Sequence, residues 1–295
     1  MKLLIASDGS TCAEHAEQFV SRMPFGEKAH VILANVCPSA DLHSLGREVT
    51  PEVNRLVDEC RAKGNEILEA AKGRCQEWAG SVSTLLLDGH PARELVLAAE
   101  QQGVDAVVLG ARGVSGIRRF LLGSVSENVA KHAKCSVLVV RPPQGDDSRF
   151  HPERILLAHD TSDVSTAVVH RFQEMDLSRE HSVLLVHALE VFRHFGQEYS
   201  AESGQDIEWQ ERTVEKLLHD ACDTFSKKSV KASAVVLRSQ HAAETILDKA
   251  DEFHADLIAL GSTGRSGWER MLIGSVSAQV LRHAPCSVWL ERVRR

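Results

Sequence analysis

Two copies of a glycine-serine motif hold the residues of this chain that are best suited to chemistry. The spacing is Gly-x2-Gly-x9-Gly-Ser, and its members are Gly110, Gly113, Gly123 and Ser124 in the first copy and Gly261, Gly264, Gly274 and Ser275 in the second. Glycines allow the backbone to approach a ligand where a Cβ atom would clash. Each motif ends where a helix is predicted to begin, and the first N–H groups of a helix favour phosphate.

Charged side chains accompany both motifs. The basic residues in the two loops are Arg112, Arg118 and Arg119 in the first copy and Arg265 and Arg270 in the second. Asp8 and Asp160 each follow the first predicted strand of a half, where a carboxylate could hold a ribose hydroxyl or a metal ion on phosphates. The motifs are neither a Walker A sequence nor a G-x-G-x-x-G fingerprint. Two alternatives stay open: the glycines could serve only the turn, and Asp8 could serve only a helix N-terminus.

The motifs belong to a longer internal repeat. Residues 107–140 and 258–291 are identical at 17 of 34 aligned positions without a gap. The offset of 151 residues fits two duplicated domains, which we place at residues 1–143 and 152–295. The stretch 142–152, with its Pro, Gly and Asp content, is the predicted linker.

Composition narrows the class of protein. The net charge of −7 argues against a nucleic-acid partner, and 43% hydrophobic with 25% charged residues is ordinary for a soluble globular protein. The sequence contains no run of 18 apolar residues, so we expect no membrane span. The first ten residues resemble a strand rather than a signal peptide. The seven cysteines include no C-x-x-C pair, so we expect reduced thiols in a cytoplasmic protein.

Short apolar runs alternate with amphipathic stretches in both halves, which predicts a doubly wound parallel sheet of five strands in each. The predicted strands are 2–7, 30–36, 82–87, 106–110, 136–141, 154–159, 182–188, 230–237, 257–261 and 287–291. The predicted helices are 10–22, 52–78, 91–102, 124–133, 162–175, 204–226, 242–253 and 275–283. The segments 38–50 and 190–204 are expected to be surface loops, the second carrying Phe192, Phe195 and Tyr199. Ligands of such sheets bind beyond the carboxyl ends of the strands, where the strand order reverses.

The chain resembles the universal stress protein family, as a tandem member with two domains. The resemblance rests on the duplicated Gly-x2-Gly-x9-Gly-Ser spacing, the aspartate after the first strand, and the closing helix followed by CSVLVV. It implies two Rossmann-like α/β domains and the ATP-binding branch of the family. It also implies ATP, ADP or AMP as the ligand, with or without Mg²⁺.

The resemblance assigns roles by position. In the first half, Ala6, Asp8 and Val36 would line the adenine and ribose, Leu109 and Gly110 would border the nucleotide, and Arg112, Gly113, Gly123, Ser124 and Val125 would hold the phosphates. The matching residues of the second half are Ala158, Asp160, Ala188, Leu260, Gly261, Thr263, Gly264, Gly274, Ser275 and Val276. Thr263 replaces Arg112 and Thr161 replaces Gly9, so we expect the first site to be the stronger one.

The resemblance implies a stress-related protein, and these residues favour a nucleotide-binding regulatory protein over an enzyme. The acidic candidates are Asp8 and Asp160, and no dedicated base is evident, so we assign no catalytic residue and expect at most weak ATP hydrolysis. A slow ATPase or phosphotransferase, and a scaffold with a vestigial pocket in one half, stay as alternatives. A metal site built from His159, His187 and His241 is a further alternative, but we favour packing and capping histidines and assign no metal ligand.

Association with other chains is expected to involve the last strand of each half. Family members commonly dimerise through this strand, so the resemblance implies that Val137–Val140 pairs with Val288–Glu291 within one chain. Two tandem chains could associate further as a homodimer. We expect no membrane partner, and the sequence does not identify a protein partner.

Overall fold

The structure of the chain, a computed structural model, describes residues 1–25, 29–38, 51–113, 122–142, 151–194, 197–200, 207–264 and 273–293. Side chains from 192 to 200 are outside this description. The chain divides into two compact units, one of Met1–Phe150 with Arg294–Arg295 and one of His151–Val293. None of the described helices is long and apolar enough to cross a membrane.

The first unit alternates strands and helices. Its elements are β1 (Lys2–Ala6), α1 (Thr11–Ser21), β2 (His30–Cys37), α2 (Pro51–Cys75), β3 (Ser81–Asp88), α3 (Pro91–Gln102), β4 (Ala106–Gly110), α4 (Ser124–His132) and β5 (Ser136–Val140). The strands are parallel and lie in the order β3-β2-β1-β4-β5. Leu3, Leu4 and Ile5 of β1 are fully buried, which accounts for the continuous apolar run of this strand.

The strand order reverses between β1 and β4. From β1 the chain builds β2 and β3 on one side, and it then crosses to build β4 and β5 on the other. Helices that leave neighbouring strands in opposite directions open a crevice at the carboxyl ends of those strands. The residues after Ala6 and Gly110 therefore face a common space.

The second unit repeats this arrangement. Its elements are β6 (Arg154–Ala158), α5 (Asp163–Glu174), β7 (Ser182–His194), β8 (Gln197–Ser200), α6 (Ile207–Ser226), β9 (Lys231–Ser239), α7 (Ala242–Glu252), β10 (Leu257–Gly261), α8 (Ser275–His283) and β11 (Ser287–Glu291). The parallel strands lie in the order β9-β7-β6-β10-β11. The predicted α/β class with parallel sheets and flanking helices is confirmed in both units.

The prediction of a surface loop at 190–204 is wrong for residues 190–194 and 197–200, and the rest of that segment lies outside the described residues. Strand β7 continues to His194, and β8 returns antiparallel to it, pairing Val191 with Ser200. The extension is held because Leu189 and Val191 are buried in a small cluster with Ile207, at the start of α6. The side chains of Phe192, Phe195 and Tyr199 are outside the described part of the chain, as is all but Pro38 of the other predicted loop.

One helix also ends earlier than predicted, and the predicted start of another is not tested. Helix α2 ends at Cys75 rather than at the predicted Trp78. The residues that follow form a turn in which the Trp78 N–H donates to the Cys75 carbonyl at 3.3 Å. Helix α6 is described from Ile207, so its predicted start at Gly204 lies outside the described residues.

Serine caps begin the first helix of each unit. Ser10, at the predicted start of this helix, is the N-cap of α1, and its side chain accepts a hydrogen bond from the Ala13 N–H at 3.2 Å. Ser162 caps α5 in the same way through the Ser165 N–H at 3.2 Å. Each cap fixes the direction in which the chain leaves its first strand. The aspartate two residues earlier is thereby held at the carboxyl edge of the sheet.

Candidate functional site

A cavity of about 340 Å³ lies at the carboxyl end of β1 and β4 in the first unit. Its lining includes all ten residues to which the family resemblance assigned roles in this half: Ala6, Asp8, Val36, Leu109, Gly110, Arg112, Gly113, Gly123, Ser124 and Val125. Residues separated by more than a hundred positions thus meet around one space. Its size is typical of a small-molecule site.

The second unit has a matching cavity of about 370 Å³. It is lined by the ten predicted residues of this half: Ala158, Asp160, Ala188, Leu260, Gly261, Thr263, Gly264, Gly274, Ser275 and Val276. The duplication therefore preserved the position of the cavity as well as the fold. The similar volumes mean that any difference between the two sites must come from their side chains.

Sequence reasoning missed several lining residues. In the first cavity they are Ser7, Ala13, Ala34, Pro91, Leu95 and Ser126, and in the second His159, Ser165, Glu190, Ala242, Ile246 and Ser277. Most sit beside a predicted residue or on the first turn of a helix that follows a strand. Ser126 and Ser277 could have been found, because they are identical in the two copies of the repeat and lie two residues after the motif.

The second glycine of each motif packs directly on the aspartate. A Cβ atom added to Gly113 would contact Oδ2 of Asp8, and one added to Gly264 would lie 2.7 Å from Oδ2 of Asp160. Only glycine leaves the carboxylate in place against the turn. The missing side chains thus bring backbone and carboxylate together at one wall of each cavity.

The aspartates are oriented by their own turns. Oδ1 of Asp8 accepts the Ser10 N–H at 3.0 Å, and Oδ1 of Asp160 accepts the Ser162 N–H at 3.0 Å. The predicted alternative, that Asp8 serves a helix N-terminus, is therefore correct for one oxygen. The other oxygen lies beside the glycine turn at the cavity wall.

The last glycine of each motif is the N-cap of a helix. Gly123 caps α4 and Gly274 caps α8, and neither helix has a hydrogen bond from a capping side chain. The helix is tied to the glycine turn instead, because Ser126 Oγ donates to the Gly110 carbonyl at 2.7 Å and Ser277 Oγ donates to the Gly261 carbonyl at 2.7 Å. A helix N-terminus without a side-chain cap can direct its first N–H groups to an anion.

A buried polar network lies behind the first cavity. The Glu17 side chain on α1 is 2% exposed, accepts Ser7 Oγ at 3.0 Å and accepts Arg74 Nε at 2.7 Å. Asn35 Nδ2 donates to the Ser7 carbonyl at 2.7 Å. The network connects Ser7, at the cavity wall, to helices α1 and α2. Nothing in the sequence motif indicated it.

Histidines occupy the matching positions in the second unit. His187 stands where the first unit has Asn35, and its Nδ1 lies 2.7 Å from the His159 carbonyl, so the bond to this main-chain position is kept. His159 stands where the first unit has Ser7. The Thr161 N–H donates to His159 Nδ1 at 3.2 Å, which places the proton of the neutral ring on Nε2.

The hydrogen bonds of these histidines fit the packing role that we favoured. No group of three or more His, Cys, Asp or Glu side chains arranged to hold a metal occurs within the described ranges. His241 is the N-cap of α7 without a side-chain capping bond. It does not bring a third histidine to a ligand cluster with His159 and His187.

Burial lowers the pKa of His159 from its usual 6.5 to about 4, with the charge of His187 acting in the same direction and that of Asp160 opposing it. Protonation of this ring is therefore less favourable in the folded chain than in the unfolded chain. We expect the second unit to be fully stable above pH ~6.5 and to lose up to about 3 kcal/mol as the pH falls to about 4. Urea unfolding of the full chain across this pH range measures the effect.

The matched variant is His159→Ser, which introduces the residue found at this position in the first unit. Burial also lowers the pKa of His181, and the resulting contribution to the pH dependence of stability is the same in the unchanged chain and in His159→Ser. The variant should therefore show a smaller loss of stability between neutral pH and pH ~4.5 than the unchanged chain. Equal pH dependence in the two proteins would contradict the assignment to His159.

Comparison with known proteins gives one consistent family. A model of the universal stress protein family matches residues 1–141 and 152–292. The chain is 34% identical to a universal stress protein of Mycolicibacterium smegmatis over 219 residues, 72% of this chain and 70% of the relative. It is also 34% identical to one of Methanocaldococcus jannaschii over 148 residues, 48% of this chain and 83% of the relative.

A solved structure shares the fold along the full length. The crystal structure of a universal stress protein from Archaeoglobus fulgidus has a TM-score of 0.69 with 20% sequence identity, covering 100% of this chain and 98% of its own. At this identity the likeness concerns the fold. Because the family model matches nearly all of both halves, the chain belongs to the universal stress protein family.

Proposed function

We propose that the first cavity binds an adenine nucleotide, ATP in the first place, and that the chain is a stress-related regulatory protein rather than an enzyme. The observation that carries this proposal is the joint lining of one cavity by Asp8, the Gly110–Gly113 turn and the N-terminus of α4. A carboxylate can accept the hydroxyls of a ribose. A helix N-terminus and an arginine suit phosphates.

The apolar part of the lining supports an adenine at the other end of the ligand. Ala34, Val36, Pro91 and Leu95 line the first cavity and carry no charge. A flat aromatic base buries its faces against such side chains while its polar edge can contact the backbone. The cavity thus offers separate surfaces for the three parts of a nucleotide.

The same lining argues against fast catalysis. Among the described residues of this cavity, Asp8 is the only carboxylate, and one of its oxygens already accepts the Ser10 N–H. Hydrolysis of a nucleotide needs a base or polar group that positions water in line with the phosphate. We therefore propose a binding protein whose conformation responds to the nucleotide, with Mg²⁺ accompanying the phosphates where it is available.

The state of the cysteines supports a reducing compartment. No disulfide joins any two of the seven, and burial raises the pKa of Cys75 to about 12 and that of Cys222 to about 11. Buried neutral thiols of this kind are typical of proteins that fold without disulfides. We propose the cytoplasm on this ground.

Gly113→Ala tests the proposed site. The new Cβ contacts Oδ2 of Asp8, and the carboxylate can yield only by weakening its bond to the Ser10 N–H. We expect ATP affinity at the first cavity to fall by about tenfold, because a lost hydrogen bond to a charged group costs about 1.5 kcal/mol. Isothermal titration with ATP measures it.

Gly73→Ala is the control. Gly73 lies on helix α2, and a Cβ atom added there would have no neighbouring atom within 4 Å. ATP affinity should be unchanged in this variant. Equal affinity in Gly113→Ala and the unchanged chain would favour the scaffold alternative. Phosphate release at a fast, saturable rate would favour the ATPase instead.

A further inference from the structure

The charges around the two cavities differ although their volumes do not. The first cavity has one acidic and one basic side chain in its described lining, Asp8 and Arg112. The second has two acidic side chains, Asp160 and Glu190, and Thr263 in place of the arginine. A ligand with several negative charges therefore meets a different field in each unit.

Glu190 owes its place in the lining to the fold of strand β7. It follows Ala188 by two residues on β7, and Ala188 also lines the cavity. The corresponding position after Val36 is Pro38, which has no charge and does not line the first cavity. The extension of β7 beyond its predicted end thus adds a carboxylate that the first unit lacks.

One difference in charge favours an anion in the second cavity instead. Helix α4 has Glu127 in its first turn, whereas α8 has no acidic residue there. Glu127 is paired with Lys131 at 2.8 Å, which neutralises much of its effect on an anion at the helix N-terminus. This local difference does not reverse the balance of charge set by Arg112 in the first cavity and by Thr263 and Glu190 in the second.

The polar groups of the second cavity suit an uncharged sugar and base. Asp160 and Glu190 are acceptors for hydroxyl groups, and His159 contributes a neutral ring whose proton lies on Nε2. The N-terminus of α8 can still hold a single phosphate. A chain of three phosphates would bring its outer charges toward a site with no compensating arginine at position 263.

We propose that the two cavities select ligands by phosphate number: the first binds the triphosphate, and the second binds a nucleoside with at most one phosphate. This inference rests on the proposed function of the first cavity. It makes the chain a sensor of two related ligands, a highly charged and a weakly charged adenine compound, rather than a protein with two equal sites.

Separate titration of the two cavities tests the inference. Gly113→Val places a side chain against Asp8 and obstructs the first cavity, and Gly264→Val does the same against Asp160 in the second. Each full-length variant is titrated with ATP, AMP and adenosine in EDTA, after circular dichroism has confirmed folding. We expect Gly264→Val to bind ATP at least about tenfold more tightly than adenosine, and Gly113→Val to bind AMP or adenosine at least as tightly as ATP.

Charge exchange provides the matched control. Glu190→Gln with Thr263→Arg, added to Gly113→Val, should raise ATP affinity about tenfold and leave adenosine affinity unchanged. Arg112→Thr in the otherwise unchanged chain should lower the affinity for ATP and leave the affinity for adenosine unchanged. This variant can be measured even if an obstructing valine prevents folding.

The outcomes separate this inference from the proposed function. The same order of preference in both cavities, or no binding of any of the three ligands to Gly113→Val, overturns the selection by phosphate number and leaves the first site intact. No binding of ATP to the unchanged chain overturns the proposed function itself.

Discussion

Arg74→Ala is expected to lower the free energy of unfolding of the first unit by about 3 kcal/mol. The substitution removes the partner of Glu17, whose side chain is 2% exposed and whose Oε2 accepts Arg74 Nε at 2.7 Å. An ionised carboxylate without its partner is costly in a buried position. The Arg74 side chain is 36% exposed, so water can reach the vacated space, and we expect the lower end of the usual range.

Urea unfolding of the full chain, with hydrogen–deuterium exchange of peptides from each unit, measures this loss. The first unit should be affected and the second unchanged. Its matched control is the double variant Glu17→Val with Arg74→Met, because Val169 occupies the position of Glu17 in the second unit and is buried there. The double variant should recover most of the stability. If it is as unstable as Arg74→Ala, the loss comes from packing of the arginine stem instead.

The buried pair also bears on the cavity. Ser7 Oγ donates to Glu17, and the Ser7 main chain follows β1 directly into the wall that contains Asp8. Loss of Arg74 would therefore loosen the segment that presents the carboxylate, although Arg74 does not line the cavity. Weaker ATP binding in Arg74→Ala, restored in the double variant, would show that the network positions this wall.

The glycine motif was predictable because its constraint is local. Gly110, Gly113 and Gly123 must lie at one strand end and one helix start, whatever else the chain does, and the second copy repeats the spacing. Parallel strands in a doubly wound order then bring the β1 aspartate to the same edge. Motif, strand pattern and duplication together were enough to select Asp8, the glycines and Ser124 with their counterparts, and the family resemblance supplied the other predicted lining residues.

The buried network was not predictable in the same way, because its partners are 57 residues apart. One local signal was present. Glu17 lies on the face of α1 that also carries Ala13 and Val20, both buried, so a charge at this position required a partner. The identity of that partner depends on how α2 packs against α1, and no sequence pattern within either helix predicts this packing.

The end of β7 shows a second limit of sequence reasoning. The run after Leu189 mixes charged and aromatic residues, which is typical of a loop by local pattern. It becomes a strand because Leu189 and Val191 pack against Ile207, which belongs to the next helix. A contact between elements thus decided the local conformation, and it also set Glu190 in the second cavity.

Gly110→Ala should have a large effect on the first unit, a loss of about 3 kcal/mol at the upper end of the range for overpacked sites. The new Cβ would lie 2.6 Å from the Cys12 carbonyl oxygen and 2.7 Å from its carbon, in the first turn of α1. Backbone atoms cannot rotate aside as a side chain can, so either α1 or the end of β4 must move. Both elements border the cavity, and we expect ATP binding to weaken together with stability.

Gly261→Ala at the matching position of the second unit is the control that separates the two causes. Its Cβ would lie 3.0 Å from Cγ1 of Val164 and 3.1 Å from the Thr263 carbonyl oxygen. Both contacts are longer than those at Gly110, and the valine can adjust its rotamer, so we expect a loss of only about 1 kcal/mol, confined to the second unit. Urea unfolding with hydrogen–deuterium exchange distinguishes the two variants. Equal losses would mean that the closer approach of α1 to β4 in the first unit does not set the cost.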